Sequence, residues 1–202
     1  MKNISTAIAL LASAGAITLV AQRIFTNPRP DPHLKALFPS AVAFSPLGGT
    51  PLHFKAFAID PKATPAAEPI GLAFWTTDLV PKEHGYHGPI HLLVGMDMKG
   101  VLSGVVMDYN SEPYGYFSVD PPKFATQFKG KSIRDQFRVG ADIDAVSRAS
   151  ITMNSAARAV RDSSRLMARA LLSPDAVKPL DFARPSAALG TTLSPSKGRD
   201  KP

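Results

Sequence analysis

Apolar and polar positions alternate most clearly in the middle of the chain. Ile90, Leu92, Val94 and Met96 fall on one face of an extended segment, Pro89 to Asp97. A second such segment, Val101 to Asp108, follows after Met98-Lys99-Gly100, where Gly100 can take the positive φ of a tight turn. On strict alternation Leu102 and Val106 share one face while Val101, Val105 and Met107 share the other, so at least one strand is covered on both sides. Upstream, His53 to Ile59 and Ile70 to Thr76 read as another strand pair, joined through Asp60 to Pro65, whose two prolines stop any helix. The period changes after Asn154. From there to Leu172, Ala157, Val160, Met167 and Leu171 form a helical stripe, with Arg158, Arg161, Arg165 and Arg169 mostly off it. Pro121-Pro122 suits a helix start, with a short helical turn over Lys123 to Phe128, and Ile133 to Val139 fits a strand or a loop. The pattern predicts an α+β domain, a central antiparallel sheet with packed helices, preceded by one N-terminal hydrophobic helix.

The ends are different. Ile4 to Ala21 is an uncharged apolar run of membrane-spanning length, preceded by Lys2 and followed by Arg23, as in an export signal. A cleaved signal peptide and an uncleaved anchor both fit, and the poor small-x-small site at Leu19-Val20-Ala21 favours the anchor. Arg23, Arg29 and Lys35 follow the run while only Lys2 and the amino group precede it, which by itself does not favour an exported domain. The reading divides the chain into a signal anchor or signal peptide (1–27), a linker or edge region (28–51) with one short apolar stretch, Leu34 to Phe38, a folded domain (52–172) and a disordered tail (173–202) rich in Pro, Ser, Gly and charge.

Composition narrows the chemistry. The chain has 202 residues and no cysteine, so it offers no thiolate for iron–sulfur clusters or zinc, no disulfide and no cysteine nucleophile. Any redox function needs an organic cofactor. A net charge of +7 raises nucleic acid as a partner, yet no aromatic-plus-basic RNA motif or recognition helix accompanies it, and no nucleic-acid role is expected. His84, His87 and His91 have spacings reminiscent of a zinc site, but Gly85, Gly88 and Pro89 break the helix that would align them, so no metal site is expected. No Gly-x-Gly-x-x-Gly, P-loop or nucleophile elbow is present.

One segment stands out chemically. Asp144-Ala-Val-Ser147-Arg148-Ala149-Ser150-Ile-Thr152 gathers three hydroxyls and a carboxylate just upstream of the last helix. Unpaired N–H groups at a helix start favour an anion such as phosphate, and Ser or Thr side chains can bond it. An ordinary N-cap is the alternative use of the same residues.

The segment resembles the Asp-x-x-Ser-Gly-Ala-Thr-x-Thr signature of the FMN-binding domain family, in which FMN is joined by a phosphodiester to the hydroxyl after the Ala. Proteins with this domain include subunits of sodium-translocating NADH:quinone reductase, of Rnf-type complexes, and NosR-type accessory proteins of nitrous oxide reduction. The likeness to the NosR type extends upstream through Leu37-Phe38-Pro39, Gly71 to Asp78, Gly85-Tyr86-His-Gly88-Pro-Ile90, Val94 to Gly100 and Glu112-Pro113, so that it covers residues 34 to 172. Two positions depart from it: Arg148 replaces the usual Gly, and Ser150 the usual Thr. Serine supplies the same nucleophilic oxygen. Arg148 can block an attaching enzyme or pair with the phosphate.

The resemblance implies FMN on Ser150, with Asp144, Ser147, Arg148, Ala149 and Thr152 around it. Gly85, Tyr86 and Gly88 would lie in a loop near the flavin ring, and Glu112 would be a ring-edge or ribityl contact. It further implies an extracytoplasmic electron carrier more than a stand-alone enzyme, tethered to the membrane by its single N-terminal segment. The expected partners are a flavin transferase and separate redox donor and acceptor proteins. A flavin-free binding or assembly module of the same fold is the rival. A flavin oxidoreductase acting on a small molecule is a third reading, for which no acid/base pair is visible.

Overall fold

The computed structural model describes residues 30–174 and 177, so the apolar N-terminal run and all but the start of the tail lie outside the described residues. Five strands form one antiparallel meander in the order β1-β2-β3-β4-β5: β1 Ala43–Phe44, β2 Phe54–Phe57, β3 Pro69–Trp75, β4 His91–Asp97 and β5 Leu102–Tyr109. The expected hairpin of β4 and β5 is present. Its turn is closed by Asp97, whose carboxylate accepts the N–H groups of Lys99 and Val101 at 2.8 Å each, with Gly100 at φ +83°. The antiparallel sheet with packed helices agrees with the α+β expectation.

The parity expected for β5 does not hold. The register shifts opposite Gly95 and Met96, with Gly104 facing Gly95 and Leu102 facing Met96, so Ser103 is an extra residue. A bulge of one residue reverses which face each later side chain meets. Leu102 therefore joins Val105 on one face and Val106 falls on the other.

Helix α5, Ser150–Leu171, covers the first face. Met153, Ala156, Ala157, Val160 and Met167 pack into a core with Leu72, Phe74, Leu92, Val94 and Met96, all essentially inaccessible. The helix begins four residues before the expected start, which puts Ser150 inside its first turn. The opposite face is covered by α1, Asp31–Leu37, followed by Phe38. Leu34, Leu37 and Phe38 cluster there with Phe54, Ala73, Trp75 and Leu93. Gly71 and Gly95 floor that contact: a Cβ on Gly71 would run into the Phe38 ring, and one on Gly95 would run into Ser103 Oγ and press on Leu37 and Phe38. The stretch expected to pack on the domain edge thus lies across the sheet.

Three short helices complete the domain: α2 Thr76–Leu79, α3 Gly115–Ser118 and α4 Pro122–Thr126, the last with proline in its first turn as expected. Ile133 to Val139, for which a strand or a loop was expected, lies in a loop. Arg165 of α5 pins it by donating to the carbonyls of Ile133 and Asp135 at 2.9 and 2.8 Å. No helix among the described residues is long and apolar enough to cross a membrane.

Candidate functional site

The end of β3, the start of β4 and the end of β5 lie at one edge of the sheet, where the start of α5 also arrives. Thr76 finishes the ladder there. Its hydroxyl donates to the Ile90 carbonyl and accepts the Leu92 N–H, both at 3.1 Å, across the irregularity between His91 and Leu92. This fixes the chain as it leaves the glycine loop, residues 85–88. The loop closes on itself through Gly85 N–H to the Gly88 carbonyl at 2.7 Å.

Glu112 joins that loop to α5. It is 8% exposed, and its carboxylate accepts the N–H groups of Tyr86 and His87 at 2.8 Å each and the hydroxyl of Thr152 in a short hydrogen bond. Burial alone would raise the Glu112 pKa, but the Thr152 hydroxyl and the two backbone donors outweigh it and hold the carboxyl below its ordinary 4.5. Asn110 holds the Glu112 N–H at 3.0 Å. Gly85 makes room for the carboxylate, because a Cβ there would stand 2.5 Å from Oε1.

The start of α5 is arranged quite differently. Val146 to Ala149 form a turn closed by Ala149 N–H to the Val146 carbonyl at 3.2 Å, and Arg148 at its third position takes φ +67°. Such a position favours glycine, and a side chain there costs about 1–2 kcal/mol. Ala149 is the N-cap and makes no side-chain cap bond, while Ser150 is the first helical residue. The hydroxyls of this segment are therefore not caps. Thr152 turns inward to Glu112, whereas Ser147 and Ser150 are exposed. The first bond into the helix is Met153 N–H to the Ala149 carbonyl at 2.9 Å, which leaves the N–H groups of Ser150, Ile151 and Thr152 at the open end.

Between the loop and the helix start is a cavity of about 390 Å³ lined by Tyr86, Pro113, Tyr114, Arg148, Ala149, Ser150, Ile151 and Thr152. Tyr86 is 65% exposed, Ile151 56% and Tyr114 44%, so three large apolar side chains stay open around one hollow beside a helix start. Of the ten candidate positions, the structure brings Tyr86, Arg148, Ala149, Ser150 and Thr152 to this cavity and puts Glu112 and Gly85 immediately behind it. Gly88 lies at the base of the loop, where its Cβ position would be 3.4 Å from Ser111 Oγ. Asp144 points elsewhere. It pairs with Lys123 at 2.9 Å and lines a neighbouring cavity of about 230 Å³, and Ser147 lines neither. Tyr114 and Ile151 were not singled out from sequence, and Pro113 only as part of the Glu112-Pro113 motif; an apolar residue directly after Ser150, with an aromatic beside Glu112-Pro113, was the available signal.

The histidines do not converge. His84 bonds the Pro81 carbonyl at 3.1 Å, His87 stacks on Tyr86 with centroids 5.2 Å apart, and His91 lies against Trp75 at 4.2 Å with Nδ1 2.6 Å from Thr77 Oγ1.

Residues 85–164 match the family model of the FMN-binding domain. That segment is similar to FMN-binding domains. The match runs from the glycine loop through the first two-thirds of α5, and so takes in Glu112, the cavity and the turn at Arg148. FMN is the cofactor it indicates. No curated protein matches the chain. The residues present fit an FMN-binding domain: the cavity volume is within the usual range for small-molecule sites, its lining is apolar and aromatic, and its polar groups (a guanidinium, a free hydroxyl and a helix start) all favour an anion.

Proposed function

We propose that this chain is an extracytoplasmic electron-transfer flavoprotein that holds FMN through a phosphoester to Ser150 Oγ. The observation that carries the reading is the Ser150 hydroxyl. It is exposed in the first turn of α5, makes no hydrogen bond among the described residues, and opens on the cavity. The flavin, once bound, supplies one- and two-electron chemistry. The protein's residues hold and orient it. Ser150 fixes the phosphate end, and the helix start and Arg148 offset its charge. Tyr86, Tyr114, Pro113 and Ile151 give the ring an apolar bed, and Glu112 keeps loop and helix at a constant separation.

The rest of the reading rests on the family resemblance and the N-terminal run. The run Ile4 to Ala21 carries the domain outward across the inner membrane, where it stays anchored or is released into the periplasm if the run is cut. A flavin transferase attaches the cofactor. The electron donor and acceptor on this reading are proteins of a membrane or periplasmic redox system.

The test is mass spectrometry of full-length protein made with its export segment in a host that has a periplasmic flavin transferase. The tryptic peptide from Ala149 to Arg158 should carry FMN minus water and lose it in Ser150→Ala. A colourless protein of unmodified mass would overturn the reading and favour the flavin-free module.

A further inference from the structure

Arg148 differs from Arg158, Arg161 and Arg165 of α5. Arg158 pairs with Glu83 at 2.7 Å, Arg161 with Asp162 at 2.7 Å, and Arg165 is spent on two loop carbonyls. Arg148 lines the cavity beside Ser150 and has no carboxylate partner among the described residues. Glu112 accepts three hydrogen bonds, Asp144 pairs with Lys123, and Glu83 pairs with Arg158. The cavity therefore presents one unpaired cation and a helix start with no acidic residue in its first turn. The backbone at Arg148 is one that glycine would take freely, so the arginine side chain is kept there against its own conformational preference.

We infer that Arg148 is the phosphate-recognition residue of this site, holding the phosphate of FMN through its guanidinium and selecting phosphorylated flavin over riboflavin before and apart from any bond to Ser150. The inference rests on the flavin reading above. A guanidinium forks two N–H donors onto a phosphate, a geometry that an ammonium cannot reproduce. Recognition of this kind is electrostatic in part, so it weakens with salt, whereas apolar contact with the ring does not.

The experiment measures binding without attachment. Full-length Ser150→Ala, which has no oxygen at this position to esterify, is titrated with FMN and with riboflavin by flavin fluorescence quenching at low and high salt. FMN should bind at least about tenfold more tightly than riboflavin at low salt, a ratio worth one guanidinium–phosphate pair. Adding Arg148→Gly, which suits the backbone and so does not threaten folding, should bring the two affinities together while leaving riboflavin binding unchanged. Arg148→Lys should restore only part of the ratio. A preference for FMN that survives Arg148→Gly would overturn the role of Arg148 and leave the flavin site standing. Failure of either flavin to bind, with no adduct on Ser150 in the parent chain, would remove the flavin reading and this inference together.

Discussion

The middle of α5 and its first turn are one continuous helix, yet they are built to opposite ends. In the middle, Met153, Ala157, Val160 and Met167 are at most 1% exposed against the sheet, and nothing there is left to bind anything else. In the first turn, Ser150 and Ile151 face outward, the leading N–H groups have no intrahelical partner, and only Thr152 is turned in. Stability and ligand chemistry are thus separated along a single element. Substitutions should divide the same way: changes in the middle unfold the domain, and changes in the first turn alter binding while leaving it folded.

The largest effect tests the first half. Met167→Ala, at a position with no exposure, should lower unfolding stability by about 2–5 kcal/mol in urea titration. A loss below about 1 kcal/mol would mean that the helix middle is not the anchor.

Glu112 is where the two regimes meet, so Glu112→Gln should do both things. It replaces an ionised acceptor of three hydrogen bonds, and a cost of about 1–3 kcal/mol in stability is expected together with weaker flavin binding. The pH dependence sharpens this. The folded carboxyl titrates below its ordinary 4.5, so the stability it contributes is complete above that pH and is lost as pH falls through the lower folded value. Wild type should therefore lose stability on acidification more steeply than Glu112→Gln. Parallel curves would show that the carboxylate is not held by its partners. Asp142, which is also shifted downward, should contribute the same acid loss to both proteins.

Gly85→Ala probes the same clamp from the loop side. Its methyl would press on the Glu112 carboxylate, and about 1–2 kcal/mol of destabilisation is expected, with the cavity lost before the fold. The smallest effect is Arg148→Gly, which relieves the left-handed strain and should raise stability by less than about 1 kcal/mol. A loss of stability there would mean that Arg148 has a structural partner.

Much of the scaffold was legible in the sequence, because alternation marks strands and a 3.6-residue stripe marks a packed helix. β3, β4 and β5 came within two residues of their expected ends. The parity of β5 was not legible, since one extra residue at Ser103 reverses it and nothing in Leu102-Ser-Gly-Val105 announces a bulge. The packing of α1 was hidden too: its seven residues show too little periodicity, and its seat depends on Gly71 and Gly95, which are far along the chain. Within the site, the cluster Arg148 to Thr152 was visible as chemistry. Which hydroxyl faces in and which faces out depends on a helix start four residues earlier than the stripe suggests. The resemblance offered Glu112 as a contact for the ligand; that both of its oxygens also accept from the chain's own donors was not legible, because those donors lie 25, 26 and 40 positions away.

The Glu112 carboxylate has one more consequence. It ties residues 26 positions back and 40 positions ahead, and so works as a noncovalent cross-link closing two long loops at a single point. The entropy of closing them is lost when the chain folds and not when a ligand arrives. On the proposed reading, a cofactor entering between Tyr86 and Ser150 meets walls already tied to each other through Glu112, so less ordering of the polypeptide offsets its contacts.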